Sequence, residues 1–213
     1  MRVSVLGDEG AGKTELVTTL TDPEGEKVRD LRPPPEHGTS EWYKQRTPGI
    51  KITPFIAFCS ALLIFMDYAG QAQFLASHSP LLATHFGMFV LVLNLFTGSE
   101  MMLKSARYWL RFVTATRDPK LYPESAPSRL FLAFSHADEI PSSKTEGMVK
   151  YVHRIIQKEF SEFFTFIEAR PFILNCREES DEMKRLRNGL VAEHKLVTKV
   201  SYRNSVIFQE LSA

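Results

Sequence analysis

Two rhythms of apolar residues run along the chain. Val3-Ser4-Val5-Leu6 is a short, β-branched run that predicts a strand, and Glu15 to Leu20 follows with the spacing of a helix. Ile50-Lys51-Ile52 leads into Phe55-Ile56-Ala57-Phe58, and after a break at Cys59-Ser60 comes Leu62-Leu63-Ile64-Phe65-Met66. Two strand-length runs around a tight break predict a hairpin whose second strand is buried on both faces. Gly87 to Phe96 predicts the next buried strand, and Glu100 to Thr116 a helix with Met102, Ala106, Trp109, Leu110 and Val113 on its inner face. Arg129 to Phe134 reads as a strand, Lys144 to Phe164 as a helix, Arg170 to Leu174 as the last core strand and Glu178 to His194 as the closing helix. Strands alternating with helices predict an α/β domain.

Between these elements the chain is polar. Thr21 to Tyr43, which holds Pro33-Pro34-Pro35, cannot bury enough apolar surface to order itself and predicts a long mobile loop. The three prolines suit a surface linker better than a polyproline II ligand. Arg117 to Ser128, with Pro119, Pro123 and Pro127, predicts another loop. Periodicity weakens after Lys195, so residues 1–195 read as one domain and 196–213 as a tail or the start of a following domain.

Composition narrows the class only modestly. The 213 residues are 44% hydrophobic and 24% charged, as expected of one globular domain with a buried core. A formal net charge of +1 gives no bulk electrostatic reason to expect nucleic acid as a partner. The two cysteines, Cys59 and Cys176, form no metal-like spacing and suit a reduced cytoplasmic compartment. The longest apolar runs, Phe55 to Met66 and Phe86 to Phe96, are about half the ~20 residues a membrane-spanning helix needs. They read as buried strands, and a chain opening directly on its first strand suggests a domain cut from a larger protein.

The chemistry begins at Gly7. Gly7-Asp8-Glu9-Gly10-Ala11-Gly12-Lys13-Thr14 fills every fixed position of the Gly-x-x-x-x-Gly-Lys-Ser/Thr phosphate-binding loop, between a strand and a helix. Backbone N–H groups wrap a polyphosphate there, Lys13 reaches the terminal phosphates and the Thr14 hydroxyl holds Mg²⁺. The following helix, read from Glu15 to Leu20, turns its positive end toward the anion. Asp67, at the carboxyl end of a buried strand, lies over the crevice where α/β sheets bind ligands and is a second candidate for Mg²⁺. The histidines, His37, His78, His85, His153 and His194, show no ligand spacing and read as surface or core residues.

Four further stretches make the chain resemble a Ras-like small GTPase: Thr47 followed by Gly49, Asp67-Tyr68-Ala69-Gly70-Gln71, Ser135-His136-Ala137-Asp138 and Asn175-Cys176-Arg177. Within that superfamily it is most similar to the Roc domain of Roco proteins. His136 in place of Lys, the Thr-x-Gly-Ile form at Thr47 to Ile50, and Glu178-Glu179-Ser180-Asp181 carry that likeness. The resemblance implies a P-loop NTPase with a six-stranded, mostly parallel sheet flanked by helices. It implies GTP or GDP with Mg²⁺ as ligands, and COR and other domains of a parent chain as partners, with homodimerisation.

It also implies roles. Asp138 accepts the N1–H and 2-amino group of guanine, Ser135 and His136 flank it, and Asn175, Cys176 and Arg177 line the base, the Cys176 N–H meeting the carbonyl oxygen. Thr14, Thr47 and Asp67 hold the metal, Gly70 binds the nucleotide, and Gln71 orients the attacking water. His136 carries a shorter aliphatic stem than lysine and predicts weaker nucleotide affinity than is usual in small GTPases. An arginine finger is worth about 10³ to 10⁵ in rate. None stands at a secure position, Arg46 being a weak candidate, so slow turnover is expected. The other reading is a nucleotide-gated interaction or dimerisation module with negligible turnover.

Overall fold

The computed structural model describes residues 1–22, 47, 49–57, 61–70, 82, 87–116 and 128–211, with side chains to residue 198. Seven strands and four helices are defined: β1 (Arg2–Leu6), α1 (Lys13–Thr21), β2 (Ile50–Ile56), β3 (Leu62–Tyr68), β4 (Met88–Asn94), α2 (Gly98–Thr116), β5 (Ser128–Ser135), α3 (Ser142–Phe160), β6 (Phe164–Phe166), β7 (Phe172–Ile173) and α4 (Asp181–Leu211). The sheet runs in the order β2-β3-β1-β4-β5-β6, and β7 also pairs with β5. Among the described residues only the β2–β3 hairpin is antiparallel, in continuous register from Ile50↔Tyr68 to Ile56↔Leu62. All other pairings are parallel.

Side-chain alternation sends β4 residues to two separate cores. Met88, Val90 and Val92 pack with Leu16, Val17 and Leu20 of α1 and with Met183, Leu186 and Leu190 of α4. Phe89, Leu91 and Leu93 face α2 and α3, where Trp109, Leu110, Val152 and Ile156 are buried. A strand buried on both faces has no polar side to show, which explains its unbroken apolar run. The inner face expected for α2 is the one observed, and His153 is a core histidine whose pKa is lowered by burial.

Three element boundaries depart from the sequence expectation. α3 ends at Phe160, and Phe164–Phe166, expected as helix, is a strand beside Ser128–Leu130. Phe160, Phe163, Phe164 and Phe166 satisfy helical and strand spacings equally well over so short a span, and pairing with β5 decides. β6 and β7 then share one position along β5, interrupted near Glu168, whose φ is +78°. The sheet therefore has six positions and seven segments. The closing helix begins at Asp181 and continues to Leu211, well past His194. Finally, β2 is not buried: it is the sheet's edge, contains Pro54, and leaves Ile52 60% and Ile56 73% exposed.

Arg187 ties the closing helix to the first one. Its guanidinium donates to the carbonyls of Thr19 and Leu20 at the end of α1 and makes a two-pronged ion pair with Glu179. The last carbonyls of a helix have no intrahelical partner, and Arg187 supplies one from a side chain only 11% exposed. Arg187→Ala, which strands those carbonyls and Glu179, is expected to lower the unfolding free energy by about 2 kcal/mol, measured by urea denaturation.

Candidate functional site

The connections after β1 and β4 leave in opposite directions, β1 toward β3 and β4 toward β5, so a crevice opens at their carboxyl ends. The glycine-rich loop fills its mouth. Gly7 has φ +146°, and a Cβ there would lie 2.4 Å from the Val92 carbonyl oxygen, so no side chain fits. Gly10 and Gly12 also hold positive φ, +74° and +83°, while Asp8 and Glu9 are exposed and Ala11 is buried. Lys13 reaches back over the loop: its Nζ donates to the carbonyl oxygens of Gly7 at 2.9 Å and Asp8 at 2.7 Å. This staple closes the loop into a ring with an ammonium at its edge.

Three oxygen-bearing side chains from three segments meet beside that ring. The Thr14 hydroxyl, in the first turn of α1, donates to Oδ2 of Asp67 at 2.6 Å. The Thr47 hydroxyl donates to the same oxygen at 3.2 Å, and the two hydroxyl oxygens are 3.0 Å apart. Asp67 is fully buried, yet its Oδ1 has no hydrogen-bond partner among the described residues. Burial pushes its carboxyl above the usual aspartate range, against the Thr14 hydrogen bond and the Lys13 charge, which pull it down. A buried carboxylate with an unsatisfied oxygen beside two hydroxyls is a donor set suited to a hard divalent cation such as Mg²⁺.

Gly70 closes this end. A Cβ on it would sit 2.3 Å from the Glu9 nitrogen and 2.4 Å from the Asp8 carbonyl carbon, so the backbone after β3 lies directly on the phosphate loop. Gln71 lies outside the described residues, as do Arg46 and Pro48.

The residues expected at the base gather at the far end of the loop. Ser135 ends β5, and His136 holds φ +60°, a left-handed conformation in which histidine is enriched among side-chain-bearing residues. That turn delivers Asp138 to the surface, with Ala137 N–H donating to the Leu174 carbonyl. Asn175 accepts the Arg177 N–H at 3.1 Å, and the Cys176 carbonyl accepts from Thr19 Oγ1 at 2.6 Å. A Cβ on Gly12 would lie 3.5 Å from Cys176 Sγ and 3.7 Å from Ser135 Cβ, so the loop touches both base-side segments. The Cys176 thiol is pushed up to about 12, first by burial and then by Glu15 and Asp138, whose charges it feels together. It stays a neutral thiol.

Pattern reading missed two residues here. Trp109, assigned to the core by helical period, donates its indole N–H to Asp8 Oδ1 at 2.9 Å, and Asn94 Nδ2 makes a long 3.5 Å contact with the Gly10 carbonyl. Periodicity reports that a residue is buried and is silent about what its one polar atom does.

A glycine-rich loop after β1, an acidic strand end beside it and a turn after β5, all on this sheet order, define the fold as that of a Ras-like G domain. The structure is similar to that of the Arl6 (BBS3) small GTPase from Trypanosoma brucei, solved with a bound nucleotide analogue, GppNp. The TM-score is 0.60 over 93% of this chain and 98% of that one, at 11% identity. No family model and no curated protein sequence matches the chain. Among the described residues, no helix is long and apolar enough to cross a membrane.

The elevated Asp67 carboxyl has a measurable sign. A pKa raised by folding means that the ionised group costs stability, and the cost grows as pH rises from about 4 through the folded-state value. Without metal, Asp67→Asn should therefore melt above the parent at neutral pH, the gap closing at acid pH. If Asp67 is a metal ligand, added Mg²⁺ and nucleotide are expected to reverse the order. Thermal melts of both proteins with and without ligand check this, and an Asn variant no more stable without metal would contradict it.

Proposed function

We propose that the chain binds a guanine nucleotide with Mg²⁺ and hydrolyses GTP slowly, as a switch within a larger signalling protein. The meeting of Thr14, Thr47 and the unpartnered Asp67 oxygen beside Lys13 carries this reading. A Mg²⁺ ion held there would supply positive charge against the phosphates. Thr14, Thr47 and Asp67 are its proposed ligands. Lys13, anchored on the Gly7 and Asp8 carbonyls, places its ammonium against the terminal phosphates, and the loop from Gly7 to Thr14, with Glu15 in the helix it opens, embraces the phosphate chain. Gly70, packed against Asp8 and Glu9, is a proposed nucleotide-binding residue.

Gln71 holds the attacking water in line. On the base side Asp138 accepts two hydrogen bonds from guanine, a pair of donors that adenine lacks. Ser135, His136, Asn175, Cys176 and Arg177 complete that wall. Residues 1–195 form the GTPase unit, with the remainder of α4 leading out of it. The likeness to Roc domains rests on His136, the Thr47-to-Ile50 motif and the acidic run Glu178 to Asp181. It assigns COR and other domains of a parent chain as partners, with homodimerisation as the assembly and the cytoplasm as the compartment.

Nucleotide extracted from the purified protein should be GDP or GTP, and Asp138→Ala should weaken guanine-nucleotide binding by about 100-fold, the loss of two hydrogen bonds to a charged acceptor. Gln71→Leu should slow multiple-turnover GTP hydrolysis by about tenfold, or ~1.4 kcal/mol of transition-state stabilisation. Turnover no higher than that of the leucine variant would point instead to a nucleotide-gated interaction module. Tighter binding of ATP than of GTP would sink the guanine assignment.

A further inference from the structure

Asp8 and Glu9 place two carboxylates on the loop proposed to hold a polyanion. A carboxylate swinging over the loop would repel the phosphates it is meant to embrace. The Asp8 side chain is held by the indole N–H of Trp109, 101 residues later, at 2.9 Å. Trp109 is fully buried on the inner face of α2, with Tyr108 and Phe112 set edge-on to it at 5.6 and 6.4 Å, so the donor has little freedom to turn. The same Asp8 residue gives its carbonyl to Lys13, and its carbonyl carbon lies against Gly70. Asp8 is thus held from α2 through its side chain, from α1 through Lys13, and from the end of β3 through its backbone.

We infer that Trp109 is a positioning residue of the nucleotide site, fixing Asp8 so that its carboxylate is kept on the α2 side of the phosphate loop. This rests on the guanine-nucleotide reading above and adds a specific role for α2. An indole N–H is a donor only, so it orients an acceptor without competing for the ammonium of Lys13 or for a metal. The indole end of the bond is buried and the Asp8 end is exposed. Losing it releases the carboxylate toward the phosphates, which speeds nucleotide departure; the metal triad itself is untouched.

The experiment follows release of a fluorescent GDP analogue in Mg²⁺ buffer from the full chain and four variants: Trp109→Phe, Asp8→Ala, Asp8→Asn and the double Trp109→Phe/Asp8→Ala. Trp109→Phe should release nucleotide about tenfold faster, as expected when a hydrogen bond to a charged group is lost. Asp8→Ala loses the tether together with the repelling charge and should differ from the parent by less than Trp109→Phe does. In the double variant the Trp109→Phe effect should vanish, since no carboxylate remains to be released. Asp8→Asn keeps an acceptor without the charge and should release nucleotide no faster than Asp8→Ala. A Trp109→Phe effect that persists unchanged without Asp8 would mean packing alone and would overturn the inference. Because Asp8 is exposed, its variants remain informative if Trp109→Phe folds poorly: indole emission in a Trp42→Phe background must then shift in Asp8→Ala, and no shift also overturns it. A parent chain that binds no guanine nucleotide would overturn the functional reading itself, which distinguishes the two failures.

Discussion

A carboxylate taken out of water needs compensation, and Asp67 sets the terms for the rest of the site. One of its oxygens receives two threonine hydroxyls and the other receives nothing among the described residues. Hydroxyl donors offset part of the desolvation cost of an ion, and a cation offsets far more. The position of Thr14 follows from the start of α1, that of Asp67 from the parallel register of β3 on β1, and that of Thr47 from the approach to β2. The hairpin register then brings Ile50 opposite Tyr68, one residue beyond Asp67, so the Thr47 segment and Asp67 share one neighbourhood.

The two cores explain how such a site stays in place without a rigid loop of its own. One core fastens α1 and α4 beneath the sheet, and the other fastens α2 and α3 above it. Each sends polar atoms to the crevice. From below, Thr19 holds the Cys176 carbonyl and Arg187 holds the end of α1; from above, Trp109 and Asn94 reach the glycine loop. The glycine-rich loop is joined to the segments after β5 and β7 through Gly12, which lies against Cys176 and Ser135. Among the described residues, the site is preorganised by packed elements.

Much of this was legible in the chain. The phosphate loop has a fixed spacing because its backbone geometry is fixed, and β4 and α2 declare themselves because their burial pattern repeats over several turns or pleats. What was not legible depends on a partner distant in sequence. Phe164–Phe166 becomes a strand because β5 offers an edge there, and Ile52 and Ile56 are exposed because β2 lies at the end of the sheet order. The Trp109 tether was hidden for a related reason: a single polar atom on an otherwise apolar ring leaves no trace in an apolar pattern. The unpartnered Asp67 oxygen likewise became visible only once the neighbouring atoms were in place.

The proline within β2 has an architectural outcome. Pro54 sits in unbroken register between Thr53↔Phe65 and Phe55↔Leu63. A residue with no N–H keeps such a register only when its nitrogen is turned away from the neighbouring strand. The outer rim of the sheet therefore lacks one donor midway along its length, and a foreign strand cannot extend the hydrogen-bonded ladder there without a gap. Growth of the sheet in that direction is interrupted by covalent structure, even though the flanking isoleucines would otherwise invite it.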